Sequence, residues 1–147
     1  MTSRGALRSD ARGAVSLELA VALLPVLALG AWVWHALELR AGELVVRCAA
    51  GAAARAAVVV LADDPAYYAG EAVGRFAGAR KARIELAAAR VLASSAQLRS
   101  PRVELGTSAP GGALTARVSA RFESWPAEAR TLTASASAPL QGARYAY

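Results

Sequence analysis

From Ala14 to Leu37 the chain is apolar almost without a break, and Glu18 is its only ionisable group before His35. Roughly twenty such residues cross a hydrocarbon core of about 30 Å, so a transmembrane helix is predicted over 14–37. Trp32 and Trp34 fall at its far end, where aromatic side chains settle at a membrane interface. Pro25 takes one backbone donor out of the helix and predicts a kink there. Residues 1–13 are polar and basic, without periodicity, and read as a leader excluded from the fold. Its arginines, Arg4, Arg8 and Arg12, place the N-terminus in the cytoplasm and the rest of the chain across the membrane.

The stretch 38–62 has no proline and carries charges at Glu38, Glu43, Arg47 and Arg55, so the helix is expected to continue as a stalk. It stops at Asp63-Asp64-Pro65, because proline disfavours helix in the residue before it. An unbroken helix from Val15 to Leu61 would be about 70 Å long. Asp63 or Asp64 is suited to cap a second helix with Pro65 in its first turn, predicted over 66–98. Val73, Phe76, Ile84, Ala87, Val91 and Leu98 would form its apolar stripe. Gly70, Gly74 and Gly78, four apart, would let it pack closely on the stalk.

After Ser100-Pro101 the period falls to two. Leu114, Ala116, Val118, Ala120 and Phe122 alternate with polar residues, as in a half-buried strand. Val103 and Leu105 mark its partner, joined through Ala109-Pro110-Gly111-Gly112. Leu132, Ala134, Ala136 and Ala138 alternate with Thr131, Thr133, Ser135 and Ser137 in a third strand. Three such strands need a cover, which the helices supply. The predicted fold is α+β: a long membrane-spanning helix continued as a stalk, a second helix, and a small antiparallel meander with a tail over 101–147.

Composition refines this picture. The 147 residues suit one modest domain plus one membrane segment. A net charge of +6 comes almost wholly from arginine, Lys81 being the only lysine, and the arginines are dispersed among acids. That pattern fits GC-rich coding better than a nucleic-acid surface, and no nucleic-acid partner is expected. Cys48 is the only cysteine, which excludes an internal disulfide and leaves pairing between subunits open. With a single histidine as well, no zinc site or other cofactor is expected. No Ser/His/Asp set or glycine-rich phosphate loop is present, so an enzyme is not expected. His35 reads as an interfacial residue, Asp63 and Asp64 as a capping turn, and Trp125 as a loop residue folded over the sheet. Tyr67, Tyr68, Tyr145 and Tyr147 read as packing or exposed tail residues.

Glu18 is the position that carries chemistry. A carboxylate in a membrane helix costs about 2.5–3.5 kcal/mol on insertion scales, so it needs a reason to be there. It lies five residues after Gly13, which closes the basic leader. That arrangement resembles a class III prepilin signal, in which a membrane peptidase cuts after a glycine and a glutamate in fifth place guides assembly. A small residue such as Gly13 leaves the scissile bond open, and Ala14 would become the new N-terminus. The new α-amine has an ordinary pKa of about 7.7–8.0, and Glu18 could pair with its own or with a neighbour's, fixing register in a filament.

The rest of the chain follows the same family in order. V-A-L-L-P-V-L-A-L-G is similar to the proline-containing anchor of TadE-like minor pseudopilins of tight-adherence (Flp) pilus systems. A-A-G-A-A-A-R-A-A-V before D-D-P resembles their alanine-rich run before a D-P turn, and T-L-T-A-S-A-S-A-P-L resembles their last strand. Leu19 stands where the family usually has Phe or Tyr. The resemblance implies a single-pass protein of the bacterial inner membrane with its C-terminal domain in the periplasm, incorporated in or priming a pilus. Its implied partners are a prepilin peptidase, other pilin-like subunits, the inner-membrane platform of the machinery and membrane lipid. Two alternatives read the same residues differently. One is an uncleaved single-span anchor of an accessory protein, with Glu18 at the membrane edge. The other is a secretory signal cut near Ala28-Leu29-Gly30.

Overall fold

The computed structural model describes residues 6–107, 113–124 and 128–139, with side chains in the first helix described from Val15 onward. It divides into two compact units, Met1–Glu38 and Leu39–Tyr147. One helix, α1 (Ala6–Ala62), belongs to both. Helix therefore begins inside the stretch read as a leader excluded from the fold. Nothing between Ala6 and Gly13 forbids it, because the segment contains no proline and its lone Gly13 costs only about 1 kcal/mol. The helix also runs through Pro25, whose missing N–H leaves the Val21 carbonyl without its usual donor.

The second unit is built on the alanine-rich half of α1. Val46, Ala49, Ala50, Ala53, Ala54, Ala57, Val60 and Leu61 are buried, while Arg47, Arg55 and Val59 are exposed. Alanine at these positions brings the helix backbone close to its neighbours. At Gly42 the approach is tight: an added Cβ would lie 3.0 Å from Phe122 Cδ2 and 3.2 Å from Leu132 Cδ1.

After α1, Asp64 accepts a hydrogen bond from the Ala66 amide (2.9 Å) and caps a single 3-10 turn, Pro65–Tyr68. The second helix, α2 (Gly78–Leu92), starts only after a further irregular segment. The expectation of one helix over 66–98 thus fails at both ends. Ala69, Gly70, Gly74 and Gly78 all have positive φ, between 48° and 80°. The four-residue glycine spacing is a series of chain reversals, not a helix face, since left-handed backbone is what glycine permits. Gly78 is the tightest of them, because a Cβ there would collide with the Glu71 carboxylate. The buried stripe of α2 is Arg80, Ile84, Ala88 and Leu92, a strict four-residue repeat. Val73 is exposed and Leu98 opens a strand.

The sheet is an antiparallel meander in the order β1-β2-β3, formed by β1 (Leu98–Thr107), β2 (Ala113–Phe122) and β3 (Arg130–Pro139). The predicted pairing holds: Val103 faces Val118, Leu105 faces Ala116, and Ala136 faces Ala116 from the other side. β1 starts three residues earlier than expected. It passes through Ser100-Pro101 by a register shift between Arg99 and Arg102, with Ser100 at φ 50°. The inner faces of the three strands, α2 and the alanine face of α1 share one hydrophobic core. The predicted connection 109–112 and Trp125 lie outside the described residues, as do Tyr145 and Tyr147.

Candidate functional site

Every side chain from Val15 to Trp34 is exposed, although nearly all are apolar. Water penalises each exposed apolar side chain, and a helix apolar all round has the composition of a candidate membrane span. α1 from Val15 onward is long and apolar enough to cross a bilayer. Leu17, Leu19, Leu24, Leu29, Trp32 and Leu37 project from it on all sides.

Glu18 is exposed among them. Because α1 is helical from Ala14 to Glu18, the two positions are four apart and share a face, about one turn from each other. A chain starting at Ala14 would carry its α-amine within one helical turn of the Glu18 carboxylate. The Gly13–Ala14 bond lies within α1, as do the backbones of Arg8 and Arg12, whereas Arg4 is outside the described residues. At the other end, Trp34 Nε1 donates to Glu38 Oε1 (3.0 Å), so the indole faces a polar partner while its ring stays exposed. Trp32 is exposed one residue short of Val33.

A second polar constellation, which periodicity alone did not reveal, closes the C-terminal end of α1. Arg80 is fully buried. Its Nη1 donates to the Val60 carbonyl, and its Nη2 donates to those of Asp63 (2.9 Å) and Glu71 (3.2 Å). The guanidinium also lies 4.4 Å from the ring centroid of Tyr68. A cation meeting the last carbonyls of a long helix is favoured by their summed dipoles. The Glu71 carboxylate answers at the opposite pole, accepting from the Ala79 (2.6 Å) and Arg80 (3.2 Å) amides at the start of α2. Tyr68 donates to Asp63 Oδ2 (3.1 Å), and burial first, then that carboxylate, pushes its phenol pKa upward. Asp63 and Asp64 are thereby absorbed into capping and turn contacts. The signal in the sequence was an arginine in step with Ile84, Ala88 and Leu92.

Among the described residues no group of His, Cys, Asp and Glu is gathered that could hold a metal ion. Cys48 is exposed on α1 and forms no disulfide. Comparison with family models, with curated proteins and with solved structures finds no match for this chain.

Proposed function

We propose that this protein is a TadE-like minor pseudopilin: a subunit cleaved after Gly13, anchored by α1, and used in or for assembly of a tight-adherence type pilus or related secretion apparatus. The observation that carries the reading is Glu18, the only ionisable side chain of α1 between Ala14 and Trp34, one turn from Ala14. Leaving it unpaired in lipid is costly, and an α-amine at Ala14 of its own or a neighbouring subunit would remove the cost. The pair then acts mainly on register, because a buried ion pair adds little net stability while a broken one is penalised.

A second reading is favoured by one feature. The Gly13–Ala14 peptide is helical, so its groups are engaged in the helix and not presented as an extended strand. In that reading the chain stays uncut and serves as a single-span anchored accessory protein of the cell envelope. Intact mass and N-terminal sequencing of the protein from its native membrane, with and without the peptidase, separate the two. A peptidase-dependent start at Ala14 supports the pseudopilin; a chain still beginning near Met1 overturns it. For the cleaved protein, Glu18→Ala is expected to be processed normally yet to block assembly, and normal pili from that variant would remove Glu18 from the mechanism.

A further inference from the structure

Between Asp64 and Gly78 only Tyr68 is buried, so the segment joining α1 to α2 adds little apolar surface to the core. The inner face of β2, the alanine face of α1, and Ile84, Ala88 and Leu92 of α2 supply most of that core. What holds the segment is polar and converges on two residues. Arg80 reaches back to the Glu71 carbonyl, and the Glu71 carboxylate reaches forward to the Arg80 amide, so each side chain grips the other's backbone. Arg80 also ties in the Val60 and Asp63 carbonyls, and the Gly74 amide donates to the Leu61 carbonyl (2.8 Å). The end of α1 is thus satisfied from outside the helix, by one clasp.

Several terms oppose closure of that clasp. Arg80 is fully buried, yet among the described residues no carboxylate forms an ion pair with it and its Nε has no hydrogen-bond partner. Burying a charge without a counter-charge, and a donor without an acceptor, are both unfavourable. The backbone adds to this. Ala69 is held at φ 53°, where its Cβ is crowded, and Gly70, Gly74 and Gly78 are fixed in left-handed backbone and regain the most freedom on release.

We propose that residues 64–80 form a strap, closed by the clasp between Arg80 and Glu71, that opens and closes as one unit while the sheet and the alanine face of α1 stay folded. Elements held by few buried apolar contacts open locally at a lower free energy than the whole fold. Opening removes the cap from the end of α1 and uncovers Leu61, Tyr68 and the Arg80 guanidinium, all buried in the closed form. A strap of this kind works the same whether or not the chain is cut at Gly13.

Amide hydrogen exchange of the full chain in detergent or nanodiscs, read residue by residue at rising sub-denaturing urea, tests this. The amides of Gly70, Gly74, Ala79 and Arg80, hydrogen-bonded in the closed form, are expected to exchange through one common opening. That opening should be at least about tenfold more populated than the one exposing Val118 and Ala120 of β2, and nearly insensitive to urea because little surface is uncovered. Gly74→Ala probes the strap without a clash, since an added Cβ meets nothing within 4 Å and only the backbone at φ 80° resists it. It should speed exchange at Ala79 and Arg80 as well as at Gly74, by at least about threefold. Arg80→Lys, which keeps the charge and loses the planar fork, should speed the same set by at least about tenfold. Strap amides that share the rate and urea dependence of Val118 would overturn the proposal, because the segment would then open only with the whole fold. Exchange at free-peptide rates would overturn it as well, being the mark of a segment that is not closed. So would a Gly74→Ala effect confined to Gly74 and Arg75, which would leave a series of separate turns in place of one strap.

Discussion

The two halves of α1 share a helix and little else. From Val15 to Leu37 the large side chains are Leu, Val and Trp, spread round the full circumference and exposed. From Leu39 to Ala62 charges occupy one side, and alanine fills the other, where it is buried against the sheet and α2. The difference shows how one regular backbone is told where its solvent is. Bulk apolar groups without a polar side require a surrounding that is itself apolar, whereas small apolar groups with a polar side require a partner close enough to touch. Glu18 is the exception in the first half, and Arg80, reaching in from α2, is the corresponding exception in the second. Each is a charge in an apolar place, and each needs something specific to meet it.

The sharpest way to break the second half is to remove its charge. Arg80→Leu keeps volume near Ile84 and Tyr68 but leaves the carbonyls of Val60, Asp63 and Glu71 without their donor. We expect a loss of roughly 3 kcal/mol, since a buried acceptor left without a donor costs about 1–3 kcal/mol and three carbonyls lose theirs, two of them only part-buried. Arg80→Lys should recover only part of it, since one ammonium cannot span three carbonyls as a planar fork does. Denaturant titration of the detergent-solubilised protein measures both. A cost below about 1 kcal/mol for Arg80→Leu would mean the cap is ornamental.

The same substitution made in both halves sharpens the comparison. Ala53 is fully buried, so Ala53→Leu must force three heavy atoms between α1 and its neighbours. Overpacking of that kind costs about 1–3 kcal/mol. Ala28→Leu, on the exposed apolar half, should leave stability unchanged and make insertion slightly more favourable. Parallel thermal melts of the two variants decide it, and equal effects would contradict the division of α1 into an exposed apolar and a packed half.

Much of this division was legible beforehand because it is written in periodicity. The strands followed from two-residue alternation, and the switch in α1 from bulky to small residues followed from composition. What was not legible depended on backbone geometry. Three glycines four apart look the same on paper whether they line a helix or turn a chain through positive φ, and the structure chose the turn. Ser100-Pro101 reads as a boundary, yet a register shift carries β1 across it. Arg80 is not legible from pattern alone, because a charge on an apolar stripe is normally a solvated one, and only the carbonyls at the end of α1 turn that position into a binding site for it. For Glu18 the sequence and the helix give the same spacing to Ala14, and neither supplies the partner.

The smallest expected effect is on the phenol of Tyr68, beside the Arg80 cap. Its pKa lies above the ordinary value of about 10, first through burial and then through the hydrogen bond it donates to Asp63. Arg80 and Arg83 pull the other way without overcoming these. A raised folded-state value means that the native structure holds the proton more tightly than the unfolded chain does. Its stabilising contribution is therefore complete below pH 10 and is lost as pH climbs from there through the folded value. Stability should fall more steeply above pH 10 in the natural protein than in Tyr68→Phe, which has no proton to lose. Ultraviolet titration should show the corresponding phenolate band appearing late and disappearing in the variant. If Tyr68 instead ionises with an ordinary free phenol, the Asp63 hydrogen bond does not persist in solution. The carbonyl-and-ring cradle around Arg80 would then be looser than the packed half of α1 requires.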